Sequence, residues 1–189
     1  MNWMIYLATA TAVAVAPPAL AQTTGGQGTN QGTPQQQAPA GMPTGMNAAV
    51  PTDKEFVMAT AIANRFEIME AELALSQATD VKLKEFARMM VTDHSAALKE
   101  LEAAAKAAGQ PMPSDVALDA SHQAKLNALK PRKGADFDQA YRNDQKQAHQ
   151  EAIALLEAYQ RGGTKEPLRA WAAKALPVVK KHLAALNGM

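Results

Sequence analysis

Residues 81–101 read VKLKEFARMMVTDHSAALKEL, and they decide the fold because their apolar residues recur with the period of an α-helix. On a wheel of 3.6 residues per turn, Leu83, Ala87, Met90, Ala97, Leu98, Leu101 and Ala105 fall within about 60° of His94. His94 therefore stands in the apolar stripe, on the face that the helix buries. Asp93 lies about 100° round, next to Phe86 at the edge of that stripe. An imidazole or carboxylate buried without a partner costs roughly 1–3 kcal/mol, so the rest of the chain must supply the partner.

The boundaries of this helix are written on either side of it. Thr79-Asp80 offers an N-cap, and Gly109 with Pro111 and Pro113 beyond it offers a stop, which predicts a helix from Val81 to about Ala108. Upstream, a capping box of Thr52 and Glu55 opens a helix that runs to about Ala78. Its inward stripe is Met58, Ile62, Phe66, Met69 and Leu73, with Val57, Ala61, Ile68 and Leu75 behind. So short a link between the two helices makes them an antiparallel hairpin.

Downstream, a short helix is expected from a cap at Ser114 or Asp115 to Lys130-Pro131. A long helix follows from Ala135 to about Arg161, with Phe137, Tyr141, Ala148, Ala152, Leu155 and Tyr159 inward. The last helix starts at Glu166-Pro167 and carries Leu168, Trp171, Ala175, Val178, Val179 and Leu186 to the core. Pro177 falls inside it and predicts a kink shortly before His182. Alanine abounds and no segment alternates with period two, so the domain is predicted to be all-α. Two long hairpins joined by a long connection form an antiparallel four-helix bundle with one short helix in the connection.

The charged side chains, 19 basic and 18 acidic, all lie from Asp53 onward. That balance gives no electrostatic reason to expect nucleic acid as a partner. Residues 1–21, MNWMIYLATATAVAVAPPALA, hold an apolar run too short to span a bilayer and end in Ala19-Leu20-Ala21. They read as a secretory signal cleaved before Gln22, although no Lys or Arg precedes the apolar run. Residues 22–52 are rich in Gln, Gly, Pro and Thr and carry no charge, which predicts a disordered linker. The helical domain is then 53–189, expected to be exported with no transmembrane span in the mature chain. No cysteine is present, so disulfides and attachment of lipid to a thiol are excluded.

The partners of His94 follow from height along the bundle. Counting from the turn at Asp80, Glu67 is 13 residues back and His94 is 14 forward, so the two face each other. Ala63, Ala71 and Ala74 share the Glu67 face and leave room around its carboxylate. His149 and His182 stand near the middle of the second hairpin. His182 points firmly inward, whereas His149 is roughly 90° from the centre of its helix's apolar face, where Tyr141 and Gln145 are better placed. The candidate cluster is Glu67, His94 and His182, with Asp93, Tyr141, Gln145 and His149 at its margin.

Two readings of the cluster stay open. One is a structural network in which Glu67 or Asp93 orients the histidines. The other is a transition-metal site, since imidazoles and carboxylates from facing helices hold ions in bundle cores. No helix carries a Glu-x-x-His pair, which argues against a carboxylate-rich di-iron centre. His122 reads as surface or capping chemistry, and Met58, Met69, Met89 and Met90 read as core filling. No nucleophile elbow, phosphate loop or zinc-protease motif occurs, so an enzyme is not expected.

Four stretches together, FEIMEAELA, VKLKEFARMMVTDHSAALKEL, FDQAYRNDQKQAHQEAIALLE and LRAWAAKALPVVKKHLAAL, resemble a bacterial exported family known as domain of unknown function 4142. The resemblance implies a ferritin-like bundle in the periplasm of a Gram-negative bacterium, with no established reaction. By resemblance, Glu67, Asp93, His94, His149 and His182 match the family's recurring polar positions, and these five form the candidate metal set. Family members are often labelled outer-membrane proteins. For this chain that label would mean association with an envelope partner, because helices of this kind form no membrane barrel.

Overall fold

The computed structural model describes residues 49–189. The expected signal segment and nearly all of the expected linker lie outside the described residues. Five helices account for the fold: α1 Asp53–Gln77, α2 Val81–Ala107, α3 Ala120–Leu129, α4 Gly134–Gly162 and α5 Glu166–Asn187. Among the described residues there is no strand, and no helix is long and apolar enough to cross a membrane.

Local chemistry sets the helix ends. The Thr52 hydroxyl accepts from the Glu55 amide at 3.3 Å while the Glu55 carboxylate accepts from the Thr52 amide at 2.8 Å, closing the capping box of α1. Asp80 caps α2 by accepting from Lys82 N at 2.8 Å. At the other end Gly109 takes φ 70°, which lets Gln110 N reach Ala105 O and Gly109 N reach Lys106 O. The cap of α3 differs from the expectation at Ser114 or Asp115. Val116 is buried ahead of the helix and Leu126 and Leu129 within it, and Asp119 is the side chain that accepts from His122 N, at 2.9 Å.

Each long helix packs on two others: α1 on α2 and α4, α5 on α4 and α2, with α3 lying across α1 and α4. The two hairpins are tied together at both ends. The Asp138 carboxylate near the start of α4 accepts from Thr79 N at 2.9 Å, from Asp80 N at 3.0 Å and from the Thr79 hydroxyl. At the opposite end the Tyr159 and Thr164 hydroxyls donate to Asp53. Gly163 is required there, because a Cβ would meet the Tyr159 ring at 2.5 Å.

The core is two apolar clusters rather than one. Phe56, Leu101, Leu156, Tyr159, Leu168, Trp171 and Val179 anchor the first, where Phe56 stacks on Tyr159 at 3.8 Å between ring centroids. Leu83, Phe86, Met90, Leu129, Phe137, Tyr141 and Leu186 anchor the second. On every long helix the residues between the two clusters include buried polar ones: Asn64, Glu67 and Glu70 on α1, His94 on α2, Gln145 and His149 on α4, and His182 on α5. A polar layer thus divides the core.

The faces shift from expectation in three places. On α1, Met58, Ile62, Met69 and Leu73 are only half-buried, while Thr60, Asn64, Glu67 and Glu70 face inward. On α4, Ala148, Ala152 and Leu155 are half-buried, and Gln145, His149 and Leu156 take the interior. Val178 of α5 is exposed. On α1 and α4 the inward face thus carries the polar layer together with the large aromatic residues.

Candidate metal centre

Three histidines from three helices meet in the polar layer. Their ring centroids form a nearly equilateral triangle with sides of 5.8 Å for His94–His149, 5.5 Å for His94–His182 and 5.4 Å for His149–His182. One ring nitrogen from each lies within 4.8 Å of the other two. All three side chains are buried. Phe86 presents its ring to His149 and His182 at about 6 Å between centroids and adds an apolar wall.

Every ring is held by one nitrogen. His94 Nδ1 lies 2.8 Å from Glu67 Oε2 and 3.0 Å from Asn64 Oδ1, and the Asn64 amide is itself oriented by donating to Thr60 O at 2.8 Å. His149 Nδ1 lies 2.8 Å from the backbone oxygen of Gln145, one turn back on α4, and 3.4 Å from Glu67 Oε1. His182 Nε2 lies 3.0 Å from Asp93 Oδ2. The acceptors are carboxylate, amide or carbonyl oxygens, so the anchored nitrogens carry the protons. The opposite nitrogens, His94 Nε2, His149 Nε2 and His182 Nδ1, have no partner.

The electrostatics fit that assignment. Burial pushes His149 down against the pull of Glu67, and burial with repulsion from His94 and His149 pushes His182 down against its bond to Asp93. Both rings therefore favour the neutral form, with a lone pair on the free nitrogen. Burial alone would raise the Glu67 carboxyl, but His94 and His149 outweigh it and hold it down to about 2. Glu70, fully buried, behaves oppositely: burial, with Asp144 and Glu67 nearby, pushes it up to about 8. It accepts one bond from Gln145 Nε2 at 3.0 Å and is a neutral acid at neutral pH.

The donor set suits a transition-metal ion. A ligating histidine commonly donates its second N–H to a carboxylate or carbonyl, which fixes tautomer and direction, and all three rings have that support here. Metal–nitrogen bonds of about 2.0–2.1 Å would put three nitrogens about 3.5 Å apart. The present spacing of up to 4.8 Å needs a contraction on the order of 1 Å.

The five residues singled out in the sequence lie in or beside the polar layer, in two kinds of position. His94, His149 and His182 converge, while Glu67 and Asp93 stand behind rings as acceptors. His149, expected at the margin, is fully buried among the other rings, because α4 turns its Gln145-His149 face inward. Tyr141 and Gln145 are also fully buried. His122 caps α3 with Asp119 and packs edge-on against Phe66, away from the cluster. Asn64 and Glu70 were not legible as site residues. Their signal was spacing: with Glu67, Ala71 and Ala74 they line one helix face at steps of three and four.

The family described as "Domain of unknown function (DUF4142)" matches residues 35–189. No curated protein is similar to the chain. Among solved structures, the fold is similar to CopM in the Cu(I)-bound form, with a TM-score of 0.60 and 20% identity over 73% of this chain and 94% of that one. CopM in the Cu(II)-bound form gives a TM-score of 0.61 and 19% identity over 73% and 95%. At such identity the likeness speaks to the helical fold.

Proposed function

The chain belongs to the DUF4142 family, and on that premise we propose that it is an exported, ferritin-like, non-catalytic bundle that binds one transition-metal ion at His94, His149 and His182. One observation carries the reading: three buried imidazoles, each anchored through one nitrogen, leave the other nitrogen without a partner. A network that served stability alone would close on itself, because each unsatisfied buried polar group costs about 1–3 kcal/mol. Thr60, Glu67, Glu70, Tyr141 and Gln145 each also carry a buried oxygen without a partner, but among the described residues only His94, His149 and His182 converge as a group that could hold an ion. A bound ion would supply positive charge to the lone pairs of those three rings.

The chain's own residues do the rest. Glu67 and Asn64 hold the His94 proton on Nδ1, Gln145 O holds that of His149, and Asp93 holds that of His182 on Nε2. The buried Glu67 charge offsets an incoming cation. Imidazole suits copper, zinc, nickel and iron, and the copper in both CopM structures makes copper the first ion to test. The expected signal segment would place the protein in the envelope, where a bundle of this kind would bind or buffer the metal.

Elemental analysis tests this directly. After exposure to copper or zinc and exhaustive dialysis, the purified chain should retain about one equivalent, and His94→Leu, His149→Leu or His182→Leu should each lose it. Wild-type protein that keeps no metal would leave the layer as a structural network of an envelope protein.

A further inference from the structure

The members of the polar layer differ sharply in their access to water. The side chains of Glu67, His94, His149 and His182 are 0–6% exposed, but that of Asp93 is 38% exposed. Asp93 is on α2 and its partner His182 is on α5, so the network reaches solvent at the seam between these two helices. That seam is the less extensive kind of contact in the bundle, since neither helix is joined to the other by a turn and each packs more fully on its hairpin partner. Among the described residues, two polar side-chain links cross it: Asp93–His182, and Lys174–Glu100 at 2.7 Å. The second pair is exposed and contributes little.

Helix α5 is also locally weakened shortly before His182, on its exposed face. Pro177 lies within α5, five residues before His182, and donates no backbone hydrogen bond. The carbonyl of Ala173 therefore lacks its helical partner. Val178, beside Pro177, is 41% exposed. A carboxylate in water, one hydrogen bond from a buried ring, on a seam with few ties, can meet a cation before the ring does.

Resting on the metal-binding reading above, we propose that Asp93 is the capture residue for the cation, and that the ion passes between α2 and α5 from Asp93 to the ring of His182. Asp93 is thus a positioning residue with two tasks: it holds His182 Nε2–H when the site is empty, and its charge draws the cation to the seam. Glu67, buried, holds His94 and balances charge inside the site, but it does not meet a cation in water.

Stopped-flow mixing of the full chain with Co(II), followed by ligand-field absorbance, separates the two tasks. Asp93→Asn keeps an acceptor oxygen for His182 but removes the charge, and Asp93→Glu keeps the charge. Uptake by Asp93→Asn should slow about tenfold or more at low salt and lose most of its salt dependence, and Asp93→Glu should regain both. Unchanged uptake with faster release in Asp93→Asn would overturn the proposal and reduce Asp93 to a holder of His182. Equilibrium dialysis of wild-type protein with Co(II) is the separate control: no binding at all would defeat the metal-binding reading and, with it, the capture role.

Discussion

At the scale of single residues, the polar layer holds two carboxyl groups in opposite states within one helical turn. Glu67 is ionised because His94 and His149 face it, and Glu70 is neutral because burial dominates. Replacing His94 by Leu removes the partner of a buried carboxylate and should cost about 3–5 kcal/mol. Changing Glu67 to Leu as well should recover part of that loss, with a coupling on the order of 1–3 kcal/mol in urea denaturation with chelator present. Additive effects would mean that the 2.8 Å pair is energetically idle. Glu70 predicts the reverse behaviour. Its folded-state pKa is raised from 4.5 to about 8, so the folded state binds the proton more tightly and stability falls as pH rises through that window. Glu70→Gln mimics the neutral acid without this loss, and should be more stable than wild type at pH 7–8, by on the order of 1–3 kcal/mol, but not at pH 4.

At the scale of elements, what the sequence makes legible is what local rules govern. The caps at Thr52 and Asp80 and the stop at Gly109 follow from side-chain chemistry within a few residues, and the structure places them there. The start of α3 was not legible, because Ser114, Asp115 and Asp119 are all good caps and the choice among them depends on where Val116, Leu126 and Leu129 pack. The rotation of α1 was not legible either. Its apolar residues surround it, so the stripe of Met58, Ile62, Phe66, Met69 and Leu73 is a poor guide, and the face that turns inward is chosen by partners on other helices: His94 for Asn64 and Glu67, Gln145 for Glu70. His149 differs from expectation for the same reason: counting apolar residues puts Gln145 nearer the interior and His149 at the margin, whereas the helix buries both. Non-local polar pairing is thus the part that periodicity misses. Asp138 gives a test at this scale, because its carboxylate caps the start of α2 from α4. Three hydrogen bonds from Thr79 and Asp80 hold it below its ordinary pKa of 3.8 despite burial. Its contribution is present above about pH 4 and disappears as pH falls through the lowered folded-state value. Asp138→Asn should therefore cost about 1.5–3 kcal/mol at pH 7, read from denaturant midpoints, and the difference from wild type should shrink in acid.

At the scale of the whole molecule, the division of the core decides how binding and stability are joined. Two apolar clusters are separated by a layer that contains three unpartnered ring nitrogens, and each unpartnered group weakens the layer by about 1–3 kcal/mol. Without an ion, the middle of the bundle is then a weak stretch between the two clusters, although the four long helices run through it unbroken. Filling the three positions would link α2, α4 and α5 at that level. An ion present at a hundred times its dissociation constant adds about 2.7 kcal/mol, which for a domain of this size raises the melting temperature by roughly 5–10 °C. The location of the change matters as much as its size. Hydrogen exchange should slow around His94, His149 and His182, in the middle of three helices, while the helix ends tied by Asp53 and Asp138 keep their rates, because those ties do not involve the layer. Uniform slowing along every helix would mean that the core opens as one unit. Slowing confined to α2 and α5 would mean that His149 stays outside the bound set. Only slowing at all three central segments, abolished by chelator, fits an ion held where the polar layer parts the core.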